Sequence, residues 1–352
     1  MKINFVLPEI QQYPIGGYKL VYQYSDFFAN LGHDVVIYHK LSNSNKPIPN
    51  SIRSLKRKID FAKNEHKVDW FFFNSNVRLI PGVYKDEHIR DADVIIATAV
   101  STAEFVSSLP AKAGSKYYFI QNYENWGGYT NEMVDASYRL PMKKIVISNW
   151  LADFVEQATG DRPYLIPNFI SAKDFYISKT KMRENIISIL NHPQETKRTA
   201  FGLKILSQVK KEIPDLQVRL FGAYMAPKEV PSWVTYYHQP SIDILRNNVY
   251  GSSKIYLMPS VLEGWGLTGM EAMACGAVPV ASKYGGMLDF MADDINAVLV
   301  EKDNEQSFVK TIIDLLQDPT RLSRLSDNAV QITSNFSIET SANKFLKILA
   351  YI

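Results

Sequence analysis

Cysteine is almost missing from this 352-residue sequence: Cys275 stands alone. That excludes an intrachain disulfide and a zinc cluster built on cysteines, and it fits a reducing compartment, with the cytosol as the expected address. Long hydrophobic runs are missing too. No stretch approaches the roughly 18 apolar residues that span a bilayer. The apolar start Met1–Leu7 meets Pro8 before it could form the roughly 7–15-residue core of a signal peptide, and reads instead as a first buried strand. A strong charge of either sign is also lacking. Lys and Arg number 39 against 36 Asp and Glu, for a net +3 and a pI near 8.6. Nucleic-acid binding calls for a domain pI above about 9 with clustered bases, so that class is excluded. The six histidines show no metal-ligand spacing.

What is present is enough apolar material for a core: 46% hydrophobic and 21% charged residues mark a globular chain. The length suits two domains of about 100–200 residues each. Short apolar runs alternate with helical segments. Ile3–Leu7, Val35–Tyr38, Val94–Ala97, Tyr117–Ile120, Ile145–Ile147 and Tyr164–Ile166 form one series, and Ile186–Leu190, Gln217–Phe221, Lys254–Met258, Ala277–Ala281 and Val298–Val300 a second. Such alternation predicts two parallel, doubly wound α/β sheets. Between Lys19 and Leu31, Leu20, Tyr24, Phe27, Phe28 and Leu31 recur at helical spacing, and Gly32 closes the helix. Turn chemistry over residues 168–185 predicts the junction between the halves.

The stretch from Lys254 to Gly286 is the most informative. An apolar strand ends at Pro259-Ser260, Gly264-Trp265-Gly266 makes a turn, and a helix begins at Leu267. The glycines let the backbone approach a ligand closely, and the free N–H groups of Gly266, Leu267 and Thr268 make an anion site. Glu263 and Glu271 bracket this turn as Glu-x7-Glu. Acceptor-only carboxylates suit vicinal sugar hydroxyls, while the same spacing also serves to stabilise a helix N-terminus.

In its wider context, Pro259-Ser260, Glu263-Gly264-Trp265-Gly266-Leu267, Glu271-Ala272-Met273-Ala274-Cys275-Gly276, Pro279-Val280 and Gly285-Gly286 closely resemble the motif of the retaining glycosyltransferases of family four. The resemblance implies the GT-B fold: two facing Rossmann-like, doubly wound parallel-sheet domains with a cleft between them. Residues 1–170, completed by a carboxyl-terminal helix over 336–352, would bind the acceptor, and residues 171–335 the nucleotide sugar. It further implies that Glu263 acts at the donor sugar, that Glu271 holds the ribose, and that Gly266, Leu267 and Thr268 receive the diphosphate, with Gly264 and Trp265 also on the donor side. No cofactor or metal is implied. The partners expected are a nucleotide-diphosphate sugar and a glycan, lipid-linked or other cell-surface acceptor.

Other positions extend the resemblance or depart from it. Gly16-Gly17 resembles a glycine loop after the first strand. Where the family has Arg followed by Lys on the diphosphate, this sequence reads from His192 to Lys197-Arg198, so Lys197 and Arg198 remain as candidates with His192 in place of the upstream Arg. Where many members have a histidine at the reaction centre, Gln121-Asn122-Tyr123 follows the fourth strand of the series. Gln121 offers hydrogen bonds but no general acid or base. His238 falls where the family packs its nucleobase. Asp91-Ala92-Asp93 resembles a metal-binding Asp-x-Asp of another transferase fold, but leads directly into an apolar strand and reads as a turn. Tyr123, Trp126 and Tyr129 are expected to offer an acceptor platform, with Trp70–Phe73 as core or a second platform. The basic segment from Arg53 to Lys67 suits a solvated helix face, peripheral contact with the inner membrane face or docking of a phosphate-rich acceptor. A non-catalytic subunit of the same fold, or a phosphorylase or epimerase, are the alternatives.

Overall fold

The computed structural model describes residues 1–41, 68–178 and 184–350. They divide into two compact units, Met1–Pro167 with Glu339–Ile352, and Asn168–Ile338. The basic segment from Arg53 to Lys67 lies outside the described residues.

In the first unit seven strands pair in parallel: β1 (Lys2–Leu7), β2 (Asp34–Lys40), β3 (Arg78–Val83), β4 (Val94–Ala97), β5 (Ser115–Ile120), β6 (Lys143–Val146) and β7 (Tyr164–Leu165), in the order β3-β2-β1-β4-β5-β6-β7. The connecting helices include α1 (Gly16–Asn30), α2 (Val100–Ser108), α3 (Asn131–Tyr138) and α4 (Asn149–Thr159). Strands covered on both faces read as unbroken apolar runs, and all four residues of β4 are buried. Local chemistry sets the helix ends. Ser148 Oγ accepts from Leu151 N–H at the start of α4, and Gly160 takes the left-handed conformation at its end.

The second unit has six parallel strands: β8 (Ile186–Leu190), β9 (Gln217–Gly222), β10 (Val234–His238), β11 (Ile255–Met258), β12 (Val278–Ser282) and β13 (Val298–Val300), ordered β10-β9-β8-β11-β12-β13. Its helices include α5 (Thr199–Glu212), α6 (Leu267–Ala274), α7 (Glu305–Gln317) and α8 (Pro319–Thr333). Ile187, Ile189, Ile205, Leu220, Leu257, Val280 and Phe308 form the centre of its core. Each such side chain contributes about 1.5–3 kcal/mol by leaving water.

The last helix, α9 (Ile338–Ala350), packs within the first unit. Phe345 meets Phe5, Tyr24, Phe28 and Phe119, and Tyr117 donates its hydroxyl hydrogen to the Ile348 carbonyl at 3.1 Å. No helix among the described residues is long and apolar enough to cross a membrane.

Two expectations from sequence change here. Gly16 and Gly17 do not form a loop: the loop is Pro8–Ile15, and the glycines are the first residues of α1, after an extended Ile15. Tyr123 is 6% exposed, packs on Phe154 and donates its hydroxyl hydrogen to Asp135 at 3.1 Å, so it is core and not a platform. Of the Trp70–Phe73 cluster, Trp70, Phe71 and Phe73 pack around Tyr22, while Phe72 points out at 83% exposure. The aspartates of Asp91-Ala92-Asp93 are engaged separately. Asp93 accepts from the Lys2 N–H at 2.7 Å, and Asp91 stands 3.7 Å from Lys112.

Candidate functional site

In each sheet the strand order reverses between two central neighbours, and ligands of open α/β sheets bind beyond the carboxyl ends of the strands there. In the second unit those neighbours are β8 and β11. The loop after β8 carries His192, a 3₁₀ turn Glu195–Lys197 and then Arg198, which starts α5 in the left-handed conformation at φ 54°. Thr199 ties the loop down: its hydroxyl bonds the Leu190 carbonyl and accepts from the His192 N–H, both at 3.0 Å. The Val261 N–H donates to the Thr196 carbonyl at 2.9 Å and joins this turn to the loop after β11.

That link brings Lys197 and Glu263 together. Lys197 Nζ lies 2.7 Å from Glu263 Oε1, with side chains 18% and 8% exposed. Both line a small recess with Leu190, Pro259, Ser260 and Thr268. Glu263 is held through its backbone, because its carbonyl accepts from the Gly286 N–H at 2.9 Å. Gly266, at φ 97°, caps α6 with no side-chain hydrogen bond, leaving backbone donors at the helix start. Gly264, Trp265, Leu267 and Thr268 follow the same turn. Trp265 is buried between Phe290 and Phe336 and supports the turn rather than facing solvent. The Tyr256 hydroxyl fixes Thr268 Oγ1 at 2.8 Å. One helical turn on, Glu271 is 8% exposed and accepts from the Tyr250 hydroxyl at 3.1 Å.

The remaining candidates of this unit are arranged differently. His192 does not replace an arginine's charge. Burial and the neighbouring Lys197 lower its pKa to about 4. Its Nδ1 accepts from the Gln194 N–H at 3.1 Å, so the neutral ring carries its proton on Nε2. Arg198 is turned aside: it pairs with Asp303 and lies 3.8 Å over the Phe201 ring. His238 ends the edge strand β10, exposed, with Nε2 3.2 Å from the Ala223 carbonyl.

In the first unit the corresponding neighbours are β1 and β4. Here α1 begins at Gly16-Gly17, and a Cβ added to Gly17 would stand 3.4 Å from the Gln121 amide. Gln121 Oε1 is buried without a hydrogen-bond partner. Asn122 accepts from the Tyr123 N–H at 2.9 Å and so shapes its own loop.

Sequence reasoning passed over Glu124. Its Oε2 accepts from the Val100 N–H at 2.7 Å, at the first residue of α2, and burial pushes its pKa up to about 7. No spacing in the sequence announces a cap supplied from 24 residues downstream. A carboxyl whose folded pKa exceeds its unfolded value of 4.5 binds more protons folded than unfolded between those two pH values. Its contribution is therefore full below about pH 4.5 and is lost as pH rises through about 7, by at most about 3 kcal/mol. Glu124→Gln keeps an acceptor oxygen and cannot ionise. Its melting temperature relative to the native chain should rise between pH 5 and pH 8; parallel curves at both pH values would refute the assignment.

Residues 172–331 match the family model described as Glycosyl transferases group 1. An uncharacterized glycosyltransferase of Methanocaldococcus jannaschii is 26% identical over 145 residues, which is 39% of this chain and 41% of that protein. A D-inositol 3-phosphate glycosyltransferase of Segniliparus rotundus is 35% identical over 98 residues, 28% of this chain and 22% of that protein. The chain thus spans less than half the length of these curated relatives. Among solved structures, Anabaena Alr3699/HepE in complex with UDP and glucose has a TM-score of 0.78 at 13% identity over 100% of both chains. That likeness is one of fold. Residues 172–331 thus resemble the Glycosyl transferases group 1 domain, on a chain with the GT-B fold of two Rossmann-like parallel-sheet domains.

Proposed function

We propose that this protein is a glycosyltransferase that moves a sugar, with retention of anomeric configuration, from a nucleotide-diphosphate sugar to a glycan, lipid-linked or other cell-surface acceptor. The observation that carries the reading is the Lys197–Glu263 pair at the switch point of the second sheet, beside the uncapped start of α6. An arriving diphosphate competes with Glu263 for the Lys197 ammonium and accepts from the N–H groups at Gly266–Thr268. Glu263, released from Lys197, faces the positive charge that develops at the anomeric carbon. The bond from that carbon to the diphosphate oxygen breaks, the acceptor oxygen bonds to the same carbon, and the acceptor's proton passes to the departing diphosphate. Glu271 accepts from the ribose hydroxyls, and His192 supplies a neutral Nε2–H donor. In the first unit Gly16, Gly17, Gln121 and Asn122 are assigned to the acceptor side. The retaining course rests on the Glu263-x7-Glu271 pattern.

On this reading the charge of the diphosphate is met by Lys197 and by a helix N-terminus worth about half a positive charge, and no divalent ion is needed. Transfer from the accepted nucleotide sugar should persist in excess EDTA. Activity abolished by EDTA and restored by magnesium or manganese would overturn this account of the diphosphate site. A requirement for inorganic phosphate would point to a phosphorylase instead.

A further inference from the structure

We infer that Tyr250 is the positioning residue of the nucleotide site, a buried hydroxyl that orients the Glu271 carboxylate toward the ribose. The inference rests on the ribose role proposed for Glu271 and extends it to a residue outside the Glu-x7-Glu motif. Tyr250 closes a π-helical turn, Leu245–Tyr250, a wide turn that recurs at functional sites. The turn has a local cause in Gly251. Its N–H donates to the Arg246 carbonyl at 2.9 Å across the i to i+5 span, and a Cβ there would lie 2.2 Å from that oxygen. Arg246 anchors the turn from the other side, donating to the Asp174 carbonyl at 2.9 Å, pairing with Asp243 and lying 4.7 Å from the Tyr176 ring centroid.

The consequence is a tyrosine fully enclosed, with 0% exposure, between Phe221 at 5.3 Å, Tyr256 at 5.8 Å and Phe175 at 6.1 Å. Its hydroxyl donates to Glu271 Oε2 at 3.1 Å. Burial and the Glu271 charge hold the phenol well above its ordinary pKa, so it remains a donor at every working pH. Packing alone does not need this hydroxyl, because a phenylalanine would fill the same space. An oriented carboxylate does need it: a hydrogen bond to a charged acceptor restricts which oxygen lone pairs remain for the ligand.

The test compares Tyr250→Phe, Glu271→Gln and the native chain. The probe is whichever of UDP, GDP, ADP and CDP raises the native melting temperature most, paired with its 2′,3′-dideoxy analogue. The native protein should prefer the ribose form. Tyr250→Phe should fold normally by melting temperature, bind the ribose form about tenfold more weakly, and bind the dideoxy form as the native chain does. In transfer assays the donor KM should rise by a similar factor while kcat stays within about twofold. Equal weakening of both probes would reveal a merely structural tyrosine and overturn the inference. So would an unchanged preference in Tyr250→Phe alongside its loss in Glu271→Gln. A preference that survives Glu271→Gln would instead remove the ribose role of Glu271, and the positioning role with it.

Discussion

Replacing Glu263 with glutamine should lower kcat by about two to three orders of magnitude while nucleoside diphosphate affinity holds or improves. Removing one preorganised electrostatic group aimed at transition-state charge typically costs about 10²–10³ in rate. Glutamine keeps the shape and a carbonyl oxygen but offers no negative charge to the anomeric carbon. The affinity half of the expectation comes from the pair itself. In the free protein Lys197 is neutralised at 2.7 Å by the residue that is to be replaced. A diphosphate must draw Lys197 away from Glu263 in the native chain, whereas in Glu263→Gln it meets an uncommitted ammonium. Calorimetric titration with the nucleoside diphosphate, beside steady-state transfer, separates the two effects. Near-native turnover would reject the role at the sugar, and markedly weaker nucleotide binding would reject the exchange of Lys197 between partners.

Lys197→Ala is expected to be the more damaging change, with kcat/KM falling by about 10³ or more. Two losses combine. The departing diphosphate loses a charge-assisted partner worth about 1.5–3 kcal/mol. Glu263, 8% exposed in its side chain, is left as an unpaired carboxylate beside incoming phosphates, and breaking a buried pair by removing one member typically costs about 3–5 kcal/mol. Lys197 keeps 18% of its side-chain exposure, so solvent relieves part of that cost. The double variant Lys197→Ala with Glu263→Gln should recover nucleotide affinity relative to Lys197→Ala alone, because the stranded charge is gone, yet remain inactive. Arg198→Ala should cost less than about tenfold, since Arg198 is held by Asp303 and Phe201. If Arg198→Ala proved as harmful as Lys197→Ala, the diphosphate grip would have to be reassigned to both.

The differences between expectation and structure share a cause. Lys19–Leu31 could be read as a helix because its apolar spacing is local, but its true start at Gly16 could not, since glycine serves loops and helix starts alike. Tyr123 reads in the sequence as part of a platform with Trp126 and Tyr129, and only its packing on Phe154 and its bond to Asp135 put it in the core. His192 occupied the place of a cation in the sequence. Its neutral state depends on enclosure and on Lys197, which no sequence pattern reports.

By itself the sequence determined the two series of buried parallel strands, the glycine turn opening the helix at Leu267, and the Glu263–Glu271 spacing, because each depends on periodicity or backbone freedom within a few residues. The tertiary structure decided which groups meet: Lys197 with Glu263 across 66 residues, Tyr250 with Glu271 across 21, and Glu124 with the start of α2 across 24. In a doubly wound sheet, strands adjacent in space are not adjacent in sequence. The loops beyond β8 and β11 become neighbours only when those strands pair, and with them the charges that give the site its chemistry.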